Sequence, residues 1–327
     1  MVAFLLAAFV GLAGPGLDAT EVALAAYQPV ERVGGVIRIW GSPTDADLLT
    51  EWGDGFKKFH PDAEVKLTLH GPESAMMGVY TGVAELALLA REMRMPAEHM
   101  AFTWAWRYPP TLVEVANAGV DTARPNGSLA VFVHPSNPLV GLTLAQLDGL
   151  YSAEHRRGAK NLRTWGDLGL TGEWQDRPVR VLGPAIDDVA ALYFRHAVLA
   201  DSYKWNAGLE EFHDEPAMLT SVAHDPDAIA YAPRHGAPAG LKMLPLARDD
   251  KGPLVAMTAE NIVARTYPLF RAVRLVLNRK PGAPIEPRTK EFLSFVLSAE
   301  GQAIVAREGQ CLPLSAVTVR AELKKLE

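Results

Sequence analysis

The strongest constraint in this sequence is a repeated alternation between short β-branched segments and amphipathic helical segments. Residues 36–40 (VIRIW) predict a strand, and the turn Gly41-Ser42-Pro43-Thr44 follows it. The next apolar residues are spaced so that they form one stripe on a helix, and they are Leu48, Leu49, Trp52, Phe56 and Phe59. Apolar residues then alternate over 65–69, which predicts a second strand. This order of strand, helix and strand predicts an α/β fold with a largely parallel sheet.

The same alternation continues along the chain and predicts a second lobe. Two prolines in 134–138 break the chain, and Thr143-Leu144-Ala145-Gln146 then has the capping-box pattern that opens a helix. Before this break we predict strands at 85–90, 111–116 and 129–134 and a helix at 96–106. After it we predict strands at 178–182, 228–231 and 271–277, and helices near 189–199, 289–297 and 302–307.

The size and charge of the chain narrow the classes of protein to which it can belong. Its 327 residues exceed the length at which one hydrophobic core usually stops growing, so we expect two domains or lobes. Subtracting 38 acidic from 32 basic side chains leaves a net charge of -6, and no basic run is present to attract nucleic-acid phosphates. Cys311 is the one cysteine, so the chain forms neither an internal disulfide nor a zinc site built on cysteines.

The N-terminal segment predicts export. Residues 2–14 are apolar apart from glycines, which matches the hydrophobic region of a secretory signal and is too short for a membrane-spanning helix. Ala23-Leu24-Ala25 offers a small-residue cleavage site, although no Lys or Arg precedes the apolar run. We therefore expect residues 1–26 to be a signal peptide and the mature protein to be periplasmic.

The sequence lacks the common enzyme motifs. It contains no H-E-x-x-H, no C-x-x-C, no G-x-S-x-G and no phosphate-loop pattern, and its histidines show no metal-ligand spacing. We therefore predict a protein that is not an enzyme and that uses no metal and no cofactor. An acid–base or metal pair formed by Asp187 and Asp188 is the enzymatic alternative, although adjacent carboxylates at a helix start more commonly cap the helix.

Segments at the ends of predicted strands are candidates for binding an anion. The turn at 41–44 places backbone N–H groups and hydroxyls before a helix, whose positive dipole end favours an oxyanion. From this segment alone, Thr44 as an ordinary helix cap is the commoner interpretation. The turn Gly71-Pro72-Glu73-Ser74 repeats the arrangement, and Arg91 lies just past another predicted strand. Because open α/β sheets bind ligands at the carboxyl ends of their strands, these segments can belong to one site.

Taken in order, several segments resemble the phosphate-receptor family of periplasmic substrate-binding proteins, the Pst type that feeds a phosphate ABC importer. The resemblance extends over 35–314, and its matching segments are 35–44, 56–61, 131–139, 164–174, 267–269 and 292–302. It implies a two-lobed type II periplasmic binding protein. Each lobe would have a mostly parallel sheet flanked by helices, with the ligand in the cleft between the lobes. The implied first lobe is 34–133 with 255–327, and the second is 134–254.

The resemblance also implies which residues of the first lobe contact the ligand. Gly41, Ser42 and Thr44 match the first anion-binding loop of the family, and Ser74 matches the second. Arg91 matches the arginine of a Ser-Arg pair, although here the preceding residue is alanine.

The second lobe departs from the family pattern, which is an arginine followed by Ser-Gly-Thr at a helix start. Here Pro184 replaces the arginine, and Asp188-Val189-Ala190 replace the Ser-Gly-Thr. Asp188 is therefore the second-lobe residue expected to meet the ligand, and its carboxylate should repel phosphate. Arg180 is the nearest guanidinium that could compensate.

Two functions remain open on these grounds. The leading hypothesis is an exported, monomeric binding protein for phosphate or a related small oxyanion, with an ABC permease as its partner. The alternative is a paralogue that no longer binds phosphate and acts through protein contacts or on another ligand.

Overall fold

The computed structural model describes residues 23–124 and 127–327. The apolar run of the predicted signal peptide lies outside the described residues, so its removal stays a prediction. The predicted cleavage site lies against the folded chain, where the Ala299 N–H donates to the Ala25 carbonyl over 2.9 Å. Tyr27 is buried two residues later, and its N–H donates to Glu300 over 2.7 Å.

Strands and helices alternate along the described chain, as the sequence predicts. The strands are β1 (Gly35–Trp40), β2 (Ala63–Thr68), β3 (Leu86–Leu89), β4 (Thr111–Ala118), β5 (Leu129–Val133), β6 (Leu142–Thr143), β7 (Arg180–Pro184), β8 (Glu210–Phe212), β9 (Ala228–Pro233), β10 (Lys242–Met243), β11 (Leu246–Ala247), β12 (Ala272–Leu277) and β13 (Cys311–Leu312).

The helices fill the intervals between these strands. They are α1 (Ala46–Lys57), α2 (Pro72–Tyr80), α3 (Ala97–Trp106), α4 (Leu144–Tyr151), α5 (Val189–Ala197), α6 (Glu215–His224), α7 (Ala259–Val263), α8 (Pro287–Val296), α9 (Ala299–Glu308) and α10 (Ala316–Lys324). Short 3₁₀ helices lie at Pro43–Asp45, Gly166–Leu168 and Gly172–Trp174. The capping box predicted before α4 is present, with Thr143 and Gln146 bonded reciprocally.

The described strands form two mixed sheets and one small pair, and this confirms an α/β fold with two lobes. The first sheet has the order β13-β4-β12-β3-β1-β2, and the second has the order β10-β5-β9-β7-β8. In the first, β1 is parallel to β2 and β3, whereas β12 is antiparallel to β3 and β4. In the second, β7 is parallel to β8 and β9, whereas β5 is antiparallel to β9. The sheets are therefore mixed rather than mostly parallel, because strands that follow a crossing between the lobes enter in the opposite direction.

The first lobe has three layers because β3 is buried on both faces. Successive side chains of a strand point to opposite sides, so Leu86 and Leu88 join one core while Ala87 and Leu89 join another. The larger core also contains residues of α1, α8, α9 and α10, and the smaller one contains residues of α2 and α3. This arrangement leaves the carboxyl ends of β1 and β3 free to carry the loops of the candidate site.

The chain crosses between the lobes at two adjacent segments. The Ala118 N–H donates to the Arg271 carbonyl over 2.9 Å, and the Leu129 N–H donates to the Leu269 carbonyl over 3.2 Å. The crossings differ from the sequence-based boundaries, because β5 lies in the second sheet and residues 257–269 contribute to the second core. The second lobe thus begins near 129 instead of 134, and the chain returns near 271 instead of 255. A proline-rich break shows where secondary structure stops, but it does not show which sheet the preceding strand joins.

Gly301 allows α8 and α9 to pack closely, and we expect Gly301→Ala to destabilise the first lobe. An added Cβ would clash with the carbonyl oxygens of Phe295 and Val296. Backbone atoms can relieve such a clash only by shifting the helices, which costs free energy. The expected loss in free energy of unfolding is about 1–3 kcal/mol, as for other overpacked sites. Urea denaturation measures it. The exposed Ala303→Ser on the same helix should change stability by less than about 0.5 kcal/mol, and equal effects of the two variants would contradict this account.

Candidate functional site

The first loop of the site lies between β1 and α1. Thr44 donates its hydroxyl proton to Ser42 Oγ over 2.9 Å, and the Thr44 N–H points to the same oxygen at 3.4 Å. Ser42 thus accepts two hydrogen bonds, and within the described residues its own hydroxyl proton has no acceptor. Ser42 is buried while Thr44 is exposed. The loop therefore presents a free hydroxyl donor beside the N-terminal end of a helix, where an anion is favoured.

The second loop lies between β2 and α2 and contacts the first. The Gly71 N–H donates to the Gly41 carbonyl over 3.3 Å, which holds the two loops side by side. Gly71 has φ of +108°, a conformation that glycine adopts without the clash a Cβ would cause. Ser74, in the first turn of α2, donates its hydroxyl to the Gly71 carbonyl over 2.8 Å. The structure therefore brings the predicted Ser42 and Ser74 loops together, although the Ser74 proton is used within its own turn.

Arg91 is fully buried, and most of its N–H groups donate hydrogen bonds to other residues of the chain. Its two terminal nitrogens donate to Glu98 over 2.9 and 2.6 Å and to the carbonyls of Glu92 and Pro72 over 2.8 Å each. These bonds use four of the five N–H groups of the guanidinium, and the fifth, at Nε, is buried and has no partner in the part of the chain that the structure describes. Arg91 thus joins the start of α2 to α3, and Nε is its remaining donor.

The second-lobe edge of the cleft carries carboxylates. Asp188 is exposed and caps α5, because its side chain accepts the Ala190 N–H over 2.7 Å. Glu211 accepts the Ile186 N–H over 2.9 Å. Burial, with the negative charge of Asp188, raises the pKa of Glu215 at the start of α6 to about 7. Asp188 follows β7, Glu211 lies within β8 and Glu215 follows it, and the carboxyl ends of these two parallel strands lie together.

Arg180 does not offset these carboxylates. Its guanidinium pairs with Glu210 over 2.6 Å and with Asp225 over 3.0 Å. Both of these partners lie in its own lobe, so the charge of Arg180 is already neutralised within the second sheet. An anion in the cleft would therefore have to displace an existing ion pair to use it.

Sequence reasoning missed the buried charges behind the first loop. Asp45 follows Thr44 directly and pairs with Arg124 over 3.2 Å, and Arg124 pairs with Glu308 over 2.7 Å. Asp45 and Arg124 are both almost inaccessible to solvent. Burial raises the pKa of Asp45 to about 6, against the opposing effect of the Arg124 charge. The network connects the candidate anion loop to the crossing segment that follows β4. No local sequence pattern predicts the pairing of Asp45 with Arg124, because the two residues are distant in the sequence.

Sequence reasoning also missed two buried arginines between the lobes. Arg271 donates to Glu92 over 2.7 Å, which joins the second crossing to the loop after β3. Arg195, on α5, is 7% exposed and has no ion-pair partner within the described chain. The available signal was an arginine on the otherwise apolar stripe of a predicted helix, where a charge is costly unless it is paired.

The chain is similar to known proteins over nearly its whole length. Residues 125–300 match the family described as PBP superfamily domain. The "Phosphate-binding protein PstS" of Pseudomonas aeruginosa is 33% identical over 321 residues, which cover 98% of this chain and 95% of that protein. This chain belongs to the PstS-type family of phosphate-binding proteins. The chain is therefore a member of a family of binding receptors, and this assignment gives no support to the enzymatic alternative at Asp187 and Asp188.

Solved structures agree with this assignment at the level of the fold. An ABC-type phosphate transport receptor from Vibrio cholerae has a TM-score of 0.56 at 19% identity, covering 85% of this chain and all (100%) of its own. PstS from Borrelia burgdorferi has a TM-score of 0.58 at 16% identity, covering 87% of this chain and 99% of its own. Both comparisons support the two-lobed fold of the PstS-type family.

Replacing Arg124 tests whether its ion pairs with Asp45 and Glu308 stabilise the fold. We expect Arg124→Gln to lower the free energy of unfolding by about 3–5 kcal/mol at neutral pH, because it leaves two buried carboxylates without a cation. The loss should shrink as the pH falls, since removal of the Arg124 charge raises the pKa of Asp45 further and protonation then removes the unpaired charge. Urea denaturation across this pH range measures both effects.

Arg32→Gln is the matched control, since Arg32 forms an exposed ion pair with Asp62. Exposed pairs contribute about 0–1 kcal/mol, so this variant should stay close to the wild type at every pH. A loss for Arg124→Gln as small as that of the control would show that the network is not needed for stability.

Proposed function

We propose that this protein is an extracytoplasmic receptor that binds phosphate, or a related small oxyanion, in the cleft between its lobes. Its relatives support the ligand class, since one is named a phosphate-binding protein and another an ABC-type phosphate transport receptor. The predicted signal segment at 2–14 supports export. Among the described residues, no helix has the length and apolar character needed to cross a membrane. The partner we propose is an ABC permease, and the binding protein would act as a monomer.

The observation that carries this proposal is the free hydroxyl proton of Ser42. A buried hydroxyl that donates to nothing else can donate to an oxyanion, and hydrogen bonds to charged groups contribute about 1.5–3 kcal/mol each. The helix that follows Thr44 adds the positive end of its dipole, while Gly41, whose N–H donates to the Thr68 carbonyl, holds the loop in place. We propose that these groups, with Ser74 and the Nε–H of Arg91, form the first-lobe half of the site.

The second lobe should weaken phosphate binding. Asp188 lies at the N-terminal end of α5, where an anion would otherwise gain from the helix dipole. Its carboxylate accepts the Ala190 N–H and so consumes one of the donors at that end. We propose that the first lobe supplies the hydroxyl donors for phosphate and that the Asp188 charge limits the affinity.

A second candidate function follows from the same carboxylates. A second-lobe edge carrying Asp188, Glu211 and Glu215 is better suited to a neutral or cationic ligand than to phosphate. This observation favours the paralogue that has lost phosphate and uses another ligand. The two candidates are separated by whether inorganic phosphate binds at all.

Isothermal titration with inorganic phosphate at neutral pH tests the leading function. We expect the mature protein to bind phosphate and Ser42→Ala to weaken binding about tenfold to a hundredfold, because one charge-assisted hydrogen bond is lost. Ser221→Ala, on α6, removes a hydroxyl that donates to the Ala217 carbonyl and should leave the affinity unchanged. No heat from the wild-type protein would reject the phosphate receptor and leave the paralogue.

Replacing Asp188 tests the proposed repulsion. We expect Asp188→Ser to strengthen phosphate binding by about tenfold at low salt, since serine still caps α5 but carries no charge. The gain should diminish as ionic strength rises. Asp187→Ser is the matched control, because Asp187 is exposed beside Asp188 but does not cap the helix. Weaker binding by Asp188→Ser would instead show that the carboxylate contacts the ligand favourably.

A further inference from the structure

A small cavity lies where the two lobes meet, between the loop after β3 and helix α5. Its volume is about 30 Å³, and its charged lining residues are Glu92 and Arg94 from the first lobe and Arg195, His196 and Asp201 from the second. Such a cavity holds one or two water molecules, or the oxygen of a larger group, when polar side chains line it.

Arg195 is the unusual member of this lining. It is 7% exposed, its Nε–H has no acceptor, and no carboxylate pairs with it within the described residues. Its guanidinium stacks over the ring of Tyr203 at 3.9 Å, which holds the group in place without neutralising its charge. A buried guanidinium without an anion is unfavourable, because the charge is removed from water and receives no compensation.

The other buried arginines do not share this property. Arg91 pairs with Glu98, Arg124 with Asp45 and Glu308, and Arg271 with Glu92. Each of these charges is therefore neutralised by the protein. Arg195 is the exception among the buried arginines of the described chain, so its missing partner is the feature that points to a ligand.

The carboxylates in the cavity wall are already engaged. Glu92 accepts Arg271 over 2.7 Å, and Asp201 lies 3.1 Å from the Nδ1 of His196. Arg94 gives one terminal nitrogen to Glu73 over 2.9 Å, while its Nε–H is buried without an acceptor. The cavity is thus bordered by two guanidinium groups, one from each lobe, that retain unpaired N–H donors.

We propose that Arg195 and Arg94 together form an oxyanion subsite in the interlobe cavity. An oxygen of a small oxyanion such as phosphate enters while the lobes are apart and accepts one N–H from each guanidinium when they close. The inference rests on the proposed function and deepens it, because it names the cation that takes up the ligand's charge in the second lobe. The subsite borders the same loop that carries Arg91, and Glu73 contacts both Arg91 and Arg94.

Phosphate titration of Arg195→Gln tests the subsite. Arg177→Gln is the matched control, because Arg177 also stacks on an aromatic ring of the second lobe, that of Trp174 at 4.0 Å, but pairs with Asp227. We expect Arg195→Gln to weaken phosphate binding at least tenfold and Arg177→Gln to change it less than twofold. If Ser42→Ala loses affinity while Arg195→Gln does not, the subsite is wrong and the proposed function stands.

Thermal unfolding in buffer without oxyanions gives a readout that does not require phosphate binding. An uncompensated buried charge costs stability, so the midpoint of Arg195→Gln should equal or exceed that of the wild type. A midpoint lowered as much as that of Arg124→Gln would show that Arg195 is a structural residue, which overturns the inference. If the wild type binds no phosphate and its midpoint does not rise with phosphate, the proposed function fails and the subsite fails with it.

Discussion

The paired crossing of the chain between the lobes is the constraint on which the rest of this structure depends. Hydrogen bonds from Ala118 to Arg271 and from Leu129 to Leu269 hold the two crossing segments side by side. Because of this double crossing, each lobe is completed by chain from both halves of the sequence. The loop after β3 in one lobe and helix α5, which follows β7, in the other then line one cavity between the lobes.

The crossing also positions charges at the cleft. Arg271 lies at the second crossing and pairs with Glu92 in the loop after β3, while its guanidinium lies 5.0 Å from the ring of Tyr193 on α5. Tyr193 in turn donates its hydroxyl to the Phe270 carbonyl. Arg271 therefore joins the second crossing to residues of both lobes, so a change in the angle between the lobes would disturb these contacts together.

The two sides of the cleft differ in chemistry. The first lobe offers hydroxyl and backbone donors, and its arginine Arg91 is bound by Glu98. The second lobe offers carboxylates and a buried cation, Arg195, that has no ion-pair partner among residues 23–124 and 127–327. A buried ion pair such as that of Arg91 fixes orientation more than it adds stability, since desolvation offsets much of the attraction. The fold is therefore that of the PstS-type family, while the helix start at Asp188 carries a carboxylate where the resemblance implies a Ser-Gly-Thr.

The alternation of strands and helices, the capping box at Thr143 and the loops at Ser42 and Ser74 could all be predicted from the sequence, because each is a local pattern. The helix α10 was not predicted, since its apolar residues do not form its buried face: Thr318 and Glu322 are buried with Val319, whereas Val317 is exposed. The local sequence pattern determines which segments become strands and helices and which turns carry hydrogen-bond donors. The tertiary structure alone decided that β5 joins the second sheet and that Glu98 pairs with Arg91. It also decided that Arg195 is buried with no carboxylate paired to it among the described residues. Sheet order and charge pairing arise from contacts between residues distant in sequence, and those contacts exist only once both lobes have formed.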